Sequence, residues 1–342
     1  MSSLFSPFTL GNIVLKNRIV LPPMCMYKAE ENGLINDFHL SHYGARAIGG
    51  VGLIIVEATA VEARGRITDN DLGLWNDAQV QEHEKLVRIC HHLGAKMAIQ
   101  LAHAGRKSVC KHSLPVAPSP LLFKDSGGYK TPSALCNMEA EEIIIAFVDA
   151  AKRAHAAGYD AIEIHAAHGY LLSEFLSPLT NTRTDRYGGT LEKRCRLLLK
   201  VCEAVKEVVS IPLIVRISAD EWMEDGWSID DTVYVSEQLK SIGISMMHVS
   251  AGGNHAKQTR VPTLDPGYQA GYAKAVRQRA NIPTIAVGLL TTYAQGEGLL
   301  NEEMCDLVAY GRELLRNPNM AHAFAKEAKC EAFIEEAYAR AY

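Results

Sequence analysis

The chain has 342 residues, long enough for one large α/β barrel or two medium domains, and a chain of that length buries about three quarters of its unfolded surface. Its 35 Lys and Arg against 39 Asp and Glu give a formal charge of -4, so no broad cationic field exists to attract a phosphate backbone, and nucleic acid is not expected as a partner. No window reaches about 18 uninterrupted apolar residues, and Pro7 and Gly11 break the N-terminal segment before a signal-peptide core can form. A soluble, cytoplasmic protein without a membrane partner is the expectation.

The opening LFSPFTLGNIVLKNRI alternates around a turn and reads as a hairpin capping the bottom of a barrel. Eight β-branched runs follow in order: 17–24, 52–61, 96–105, 159–169, 212–219, 246–253, 284–290 and 306–312. Between them lie amphipathic stretches such as VQEHEKLVRICHHLG and TVYVSEQLKSIG, several ending at a glycine suited to a helix terminus. This alternation over 1–342 predicts a single-domain (β/α)8 TIM barrel, since no GxGxxG follows the first strand and no linker marks a second domain. Insertions at 106–138 and 170–190 follow the third and fourth strands, on the face where barrels keep their chemistry. Residues 330–342 read as a short helix and tail.

Eight cysteines, at 25, 90, 110, 136, 195, 202, 305 and 330, form no CxxC pair or cluster, which argues against a disulfide scaffold, a zinc knuckle or an iron–sulfur site. Strand interiors of a parallel barrel are apolar, so polar residues at strand ends need their own explanation. Strand one ends in Pro22, Pro23, Met24, Cys25 and Tyr27; strand three offers Gln100, His103 and Lys107; strand four, His165 and His168; strand five, Arg216; strand eight, Gly311 and Arg312. Taken singly, each has a structural reading, a histidine on a carbonyl or an arginine on a carboxylate. Their coincidence on one rim favours a site. HAAHGY, residues 165–170, lacks a third metal ligand nearby, which argues against zinc. Two imidazoles converging on one point can instead hold an oxygen that gains negative charge, with Tyr170 placed to supply a proton.

The runs LKNRIVLPPMCMY, GLIIVEATAV, IQLAHAGRK, EIHAAHGYLLSEFLSPLTNTRTDRYGG, LIVRISA and GRELLRNP resemble the Old Yellow Enzyme family of FMN-dependent ene-reductases, and PMCMY resembles its thermophilic-like bacterial subclass. The resemblance implies non-covalent FMN at the C-terminal mouth of the barrel, reduced by NADPH or NADH. It implies that Gly288, Gly311 and Arg312 hold the phosphate, that Arg216 faces the N1/C2 edge and that Gln100 meets the pyrimidine edge. Pro22, Pro23, Met24 and Ala58 would lie along the ring, Ser250 and Gly252 beside the ribityl-phosphate, and Cys25 close enough to adjust redox potential. His165 and His168 would bind the substrate oxygen, Tyr170 would donate the proton, Tyr27 would add a hydroxyl contact and Lys107 would line the cavity. The implied substrates are activated alkenes: enones, enals, maleimides and nitroalkenes.

Two departures stand out. Pro22 replaces a small or hydroxyl residue, so no N–H bond to the flavin is available there. The tail AYARAY matches an arginine that in relatives enters a neighbouring subunit's site, Arg340, but Ala341 and Tyr342 do not match; a shared site would make the protein a homo-oligomer. Rival readings are a 2-enoate or dienoyl-CoA type reductase barrel without its iron–sulfur domain, a flavin-free lyase using Lys107, and a flavin-binding sensor or storage protein.

Overall fold

The computed structural model describes residues 2–30 and 32–342. In chain order its elements are β1 (Phe8–Leu10), β2 (Ile13–Leu15), β3 (Ile19–Leu21), α1 (Asp37–Ile48), β4 (Leu53–Ala60), α2 (Val80–His92), β5 (Lys96–Ala102), β6 (Val116–Ala117) and β7 (Ser133–Ala134). Then follow α3 (Asn137–Ala156), β8 (Ala161–Ala166), α4 (Leu171–Leu176), α5 (Leu191–Val208), β9 (Leu213–Ser218), α6 (Ile229–Ile242) and β10 (Met246–Ser250). The chain ends with α7 (Ala270–Arg279), β11 (Thr284–Val287), α8 (Tyr293–Asn301), β12 (Leu307–Ala309), α9 (Arg312–Arg316), α10 (Met320–Glu327) and 3-10 turns at Glu331–Phe333 and Glu336–Ala341.

Among the described residues, eight strands close a barrel in the order β10, β11, β12, β3, β4, β5, β8, β9, with parallel pairing throughout, as the sequence predicts. The first strand is shorter than expected: pairing stops at Leu21 because Pro22 and Pro23 have no N–H to give. The predicted insertions are present, the first carrying the small β6–β7 pair and the second carrying α4. The C-terminal segment forms 3-10 turns where a short helix was expected. No helix among the described residues is long and apolar enough to cross a membrane.

Local chemistry sets the helix limits. Ser228 Oγ accepts from Asp231 N–H while the Asp231 carboxylate accepts from Ser228 N–H, a capping box that starts α6. Gly94, Gly158 and Gly243 hold φ of 83°, 87° and 96° just past α2, α3 and α6, a left-handed turn that glycine enters without a Cβ penalty.

Strand alternation divides the core. Outward residues such as Ile54, Ile99, Ile162 and Val215 pack under the helices, whereas Leu53, Ile55, Ala98, Ala161, Ile214, Met246, Ile285 and Leu307 fill the barrel's lower interior. Leu10 and Leu15 from the β1–β2 hairpin join that inner cluster, so the hairpin closes the barrel floor. Leu10→Ala should therefore cost about 2–5 kcal/mol through a floor cavity, read as a lower midpoint in denaturant unfolding.

Candidate active site

Above the apolar floor, the inward positions of β5, β8, β9 and β10 turn polar two residues further along. Ala98 is followed by Gln100, Ala161 by Glu163 and His165, Ile214 by Arg216 and Ser218, and Met246 by His248 and Ser250. Glu163, without solvent exposure, accepts from Gln100 Nε2 at 2.7 Å and from His248 Nδ1 at 2.7 Å. Arg216 lies over this layer and donates weakly to Pro23 O at 3.4 Å. Burial lowers the Arg216 pKa and the Glu163 charge opposes that shift, so the guanidinium stays charged. Its Nε is buried with no hydrogen-bond partner among the described residues, a donor waiting for an acceptor at the mouth.

His165 and His168 meet edge to face with centroids 5.4 Å apart, and the His165 ring stands 5.0 Å from that of Tyr170. His165 Nδ1 accepts from Ala167 N–H at 3.2 Å, which in the neutral ring leaves the proton on Nε2. Burial first, then the Arg216 charge, holds both imidazoles well below the usual histidine range, so they are neutral at physiological pH. His168 holds φ of 59°, a strained left-handed conformation fixed from several sides. Its N–H donates to Ser218 Oγ at 2.9 Å and its carbonyl accepts from Lys107 Nζ at 2.9 Å. A Cβ at Gly253 would stand 2.9 Å from His168 Cα, and one at Gly169 would stand 2.6 Å from Asn254 Cα. Only paired glycines let the two loops touch so closely.

The expectation of two imidazole donors needs refinement. Ala251 N–H and Ser250 Oγ both donate to Gln269 Oε1, at 2.6 Å and 2.9 Å, so Ser250 has spent its proton. His168 Nε2, 2.8 Å from Ser250 Oγ, must therefore be the donor in that bond. In this arrangement the free donor role falls to His165, while Ser250 serves His168.

Beside these rings lies a cleft of about 350 Å³. Pro22, Pro23, Met24, Arg216, Gly288, Gly311 and Arg312 line it, as expected for a shared site, and so do Tyr268, Gln269, Thr291 and Arg316, which sequence reasoning missed. A Cβ at Gly311 would point toward Met24 Sδ at 3.5 Å, and Gly288, at φ 139°, has Gln269 Nε2 3.0 Å from its Cβ position. A wall that combines an unpaired guanidinium donor, small-residue backbone and proline rings suits a planar heterocycle carrying a phosphate.

Cys25 and Tyr27 sit on the segment that follows the first barrel strand. Burial, and then the carboxylates of Asp71 and Glu57, push the thiol pKa far up, so it is neutral, not a nucleophilic thiolate. Glu57 accepts from Met26 N–H at 2.7 Å and Tyr43 Oη–H at 3.1 Å, and burial raises its pKa to about 7. Ala58 lies at a bulge in β4, buried. His103 is taken up structurally, its Nε2 2.8 Å from Glu62 and its Nδ1 accepting from Gly105 N–H.

Of the remaining expected residues, Gly252 lies elsewhere than foreseen, Lys107 stands beside Tyr170, and Arg340 lies apart from this chain's cleft. Gly252 is committed away from the cleft, its N–H on Asp220 O and its Cα packed under Trp222. Lys107 spends its ammonium on the carbonyls of His168 and Gly253. Arg340 is exposed on the last 3-10 turn, whose Tyr338 and Tyr342 flank His322, and His322 packs on Gly50 below the start of β4. The tail thus lies toward the barrel floor, away from its own chain's mouth.

A family model described as the NADH:flavin oxidoreductase / NADH oxidase family matches residues 3–331. An NADPH dehydrogenase of Bacillus cytotoxicus is 48% identical over 341 residues, covering 99% of this chain and 97% of that protein. Among solved structures, morphinone reductase superposes with a TM-score of 0.84 at 29% identity, over 95% of this chain and 90% of its own. The Old Yellow Enzyme homologue from Zymomonas mobilis gives 0.83 at 27% identity, over 95% and 93%. The chain belongs to the Old Yellow Enzyme family. It is a flavin oxidoreductase that uses FMN as cofactor and a nicotinamide nucleotide as electron donor. A 2-naphthoyl-CoA reductase, 22% identical with a TM-score of 0.88 over 53% of its chain, shares the barrel fold alone.

The loop contact that fixes His168 can be tested in this flavin oxidoreductase. Gly253→Ala, at φ 87° and against His168 Cα, should destabilise by about 1–3 kcal/mol. Gly271→Ala, in α7 with open space around it, should be neutral or stabilising by up to about 1 kcal/mol. Thermal unfolding of the two variants side by side checks the contrast.

Proposed function

We propose that this chain reduces activated C=C bonds, those of enones, enals, maleimides and nitroalkenes, in two half-reactions that use one pocket in turn. The reading is supported above all by a buried, unpaired arginine donor in the wall of the cleft, with a neutral imidazole donor and a tyrosine in ring contact at the end of the adjoining strand. FMN, bound non-covalently, supplies the centre that accepts hydride from the nicotinamide nucleotide and returns it to the alkene.

The chain's residues would do the rest. Gly288 and Gly311 bring backbone N–H groups to the phosphate and Arg312 clamps it. Arg216, kept charged by Glu163, counters negative charge at the flavin edge, while Gln100, itself oriented by Glu163, meets the pyrimidine amide. Pro22, Pro23, Met24 and Ala58 pack the ring and exclude water, and the neutral Cys25 thiol lies beside it with Tyr27. His165 Nε2–H holds the substrate carbonyl or nitro oxygen, with His168 next to it, and so draws electron density from the β-carbon. Tyr170 Oη gives its proton to the α-carbon. Burial raises the Tyr170 pKa well above that of free tyrosine, so it stays protonated until an enolate-like carbon takes the proton. Arg340, exposed at the floor end, is left to serve a second copy of the chain.

The purified protein should be yellow, bleach anaerobically with NADPH and recover its colour with cyclohexenone. Tyr170→Phe should leave bleaching intact and slow recovery by about 10²-fold or more. Stopped-flow traces of each half-reaction check this, and recovery at the wild-type rate would remove Tyr170 from the proton role.

A further inference from the structure

Lys107 stands where the mouth meets the capping loop of residues 106–138. Its Nζ lies 4.9 Å from the Tyr170 ring centroid and 4.8 Å from that of Phe123, while donating to His168 O at 2.9 Å and Gly253 O at 3.2 Å. One ammonium therefore joins the proton-donor segment, the 253 loop and the capping loop. A lysine that served substrate would keep its donors free; this one has spent two on carbonyls and lies between two aromatic faces. Phe123 in turn meets Tyr129 edge to face at 4.9 Å. Behind the lysine, Glu174 of α4 is fully buried, accepts from Arg106 N–H at 2.9 Å and has its second oxygen unpartnered among the described residues.

We propose that Lys107 is a positioning residue that clips the capping loop, through Phe123, to the ring of Tyr170. The inference rests on the reading of Tyr170 as proton donor for its kinetic consequence, while the clip itself is a property of the chain alone. Loop closure and orientation of the phenol then become one event.

The clip depends on charge. Burial lowers the Lys107 pKa to about 8, with Glu174 opposing the shift and Arg106 and Lys124 adding to it, and burial raises the Glu174 pKa to about 8, so the two groups change charge in the same window. The other titratable groups facing it, His165, His168 and Tyr170, are neutral through the physiological range. A lowered lysine pKa means that the cation is present below about pH 8 and lost above it. Arginine at this position would keep its charge throughout.

The test uses FMN-loaded wild type, Lys107→Met and Lys107→Arg, each checked for flavin content. Re-oxidation of the reduced enzyme by cyclohexenone is followed from about pH 6 to about pH 10. Trypsin cleavage after the exposed Lys124 is followed by mass spectrometry at neutral pH. The wild-type rate should fall above about pH 8, Lys107→Arg should hold its rate through that range, and Lys107→Met should be at least about tenfold slower with no alkaline limb. Cleavage at Lys124 should quicken about tenfold or more in Lys107→Met and stay near wild type in Lys107→Arg. Unchanged cleavage and an unchanged pH profile in Lys107→Met would overturn the clip. So would weakened phenol binding with loop protection and re-oxidation rate retained, which would make Lys107 a substrate contact. A wild type inert to enones whose loop protection still depends on Lys107 would sink the ene-reductase reading and leave the clip standing.

Discussion

A guanidinium buried in the throat of a barrel is the constraint on which the rest of this structure depends. Arg216 has little solvent and, among the described residues, one long hydrogen bond, to Pro23 O. Its charge is tolerable because Glu163 lies beneath it, and Glu163 is tolerable because Gln100 and His248 each give it a hydrogen bond of 2.7 Å. Removing either ion would leave the other uncompensated in a medium where isolated charges cost several kcal/mol. The polar layer therefore has to be complete, and once complete it presents one unsatisfied donor toward the mouth. Above it the electrostatics follow: burial first, and then the same arginine, keeps both histidines neutral, the form in which they can share hydrogen bonds.

A second constraint is geometric. His168 is forced into the left-handed region between two loops that approach through Gly169 and Gly253, and its N–H and carbonyl are both taken. The strain is held by backbone bonds and packing, which puts the imidazole on a fixed bearing before any ligand arrives. The chain from Gln269 through Ser250 to His168 then fixes the ring's proton. The paired histidines are thus unequal partners, one oriented by its own backbone and the other by a hydroxyl on β10 and an amide from the turn before α7.

The fold was legible because β-branched runs and amphipathic stretches alternate with few interruptions, and the rim residues stood out because polar side chains interrupt apolar strands. Helix α1, DFHLSHYGARAI, was not singled out, since histidines and a glycine blur its apolar face. Glu163 and His248 were within reach: counting two back from His165, or two on from Met246, gives the next inward positions, and period two applies inside a barrel. Gln269 was not, because it follows a long irregular loop and its relation to Ser250 exists only in three dimensions. Lys107 shows the same limit, since residue type names a cation and says nothing of which carbonyls it holds. Pro22 was read correctly as lacking an N–H, and the same loss ends the first barrel strand.

The barrel closes where Ile19 and Val20 pair with Val308 and Ala309, segments from opposite ends of the chain. Ser3 and Leu4 are likewise anchored by Glu297. During synthesis the first strand must therefore wait, unpaired on one side, until nearly the whole polypeptide has left the ribosome. Until then the buried charges of the throat remain hydrated and the cleft lacks the wall that Gly288, Gly311 and Arg312 supply. Cofactor capture by a nascent chain is thereby deferred to the end of translation, and truncated products should emerge colourless.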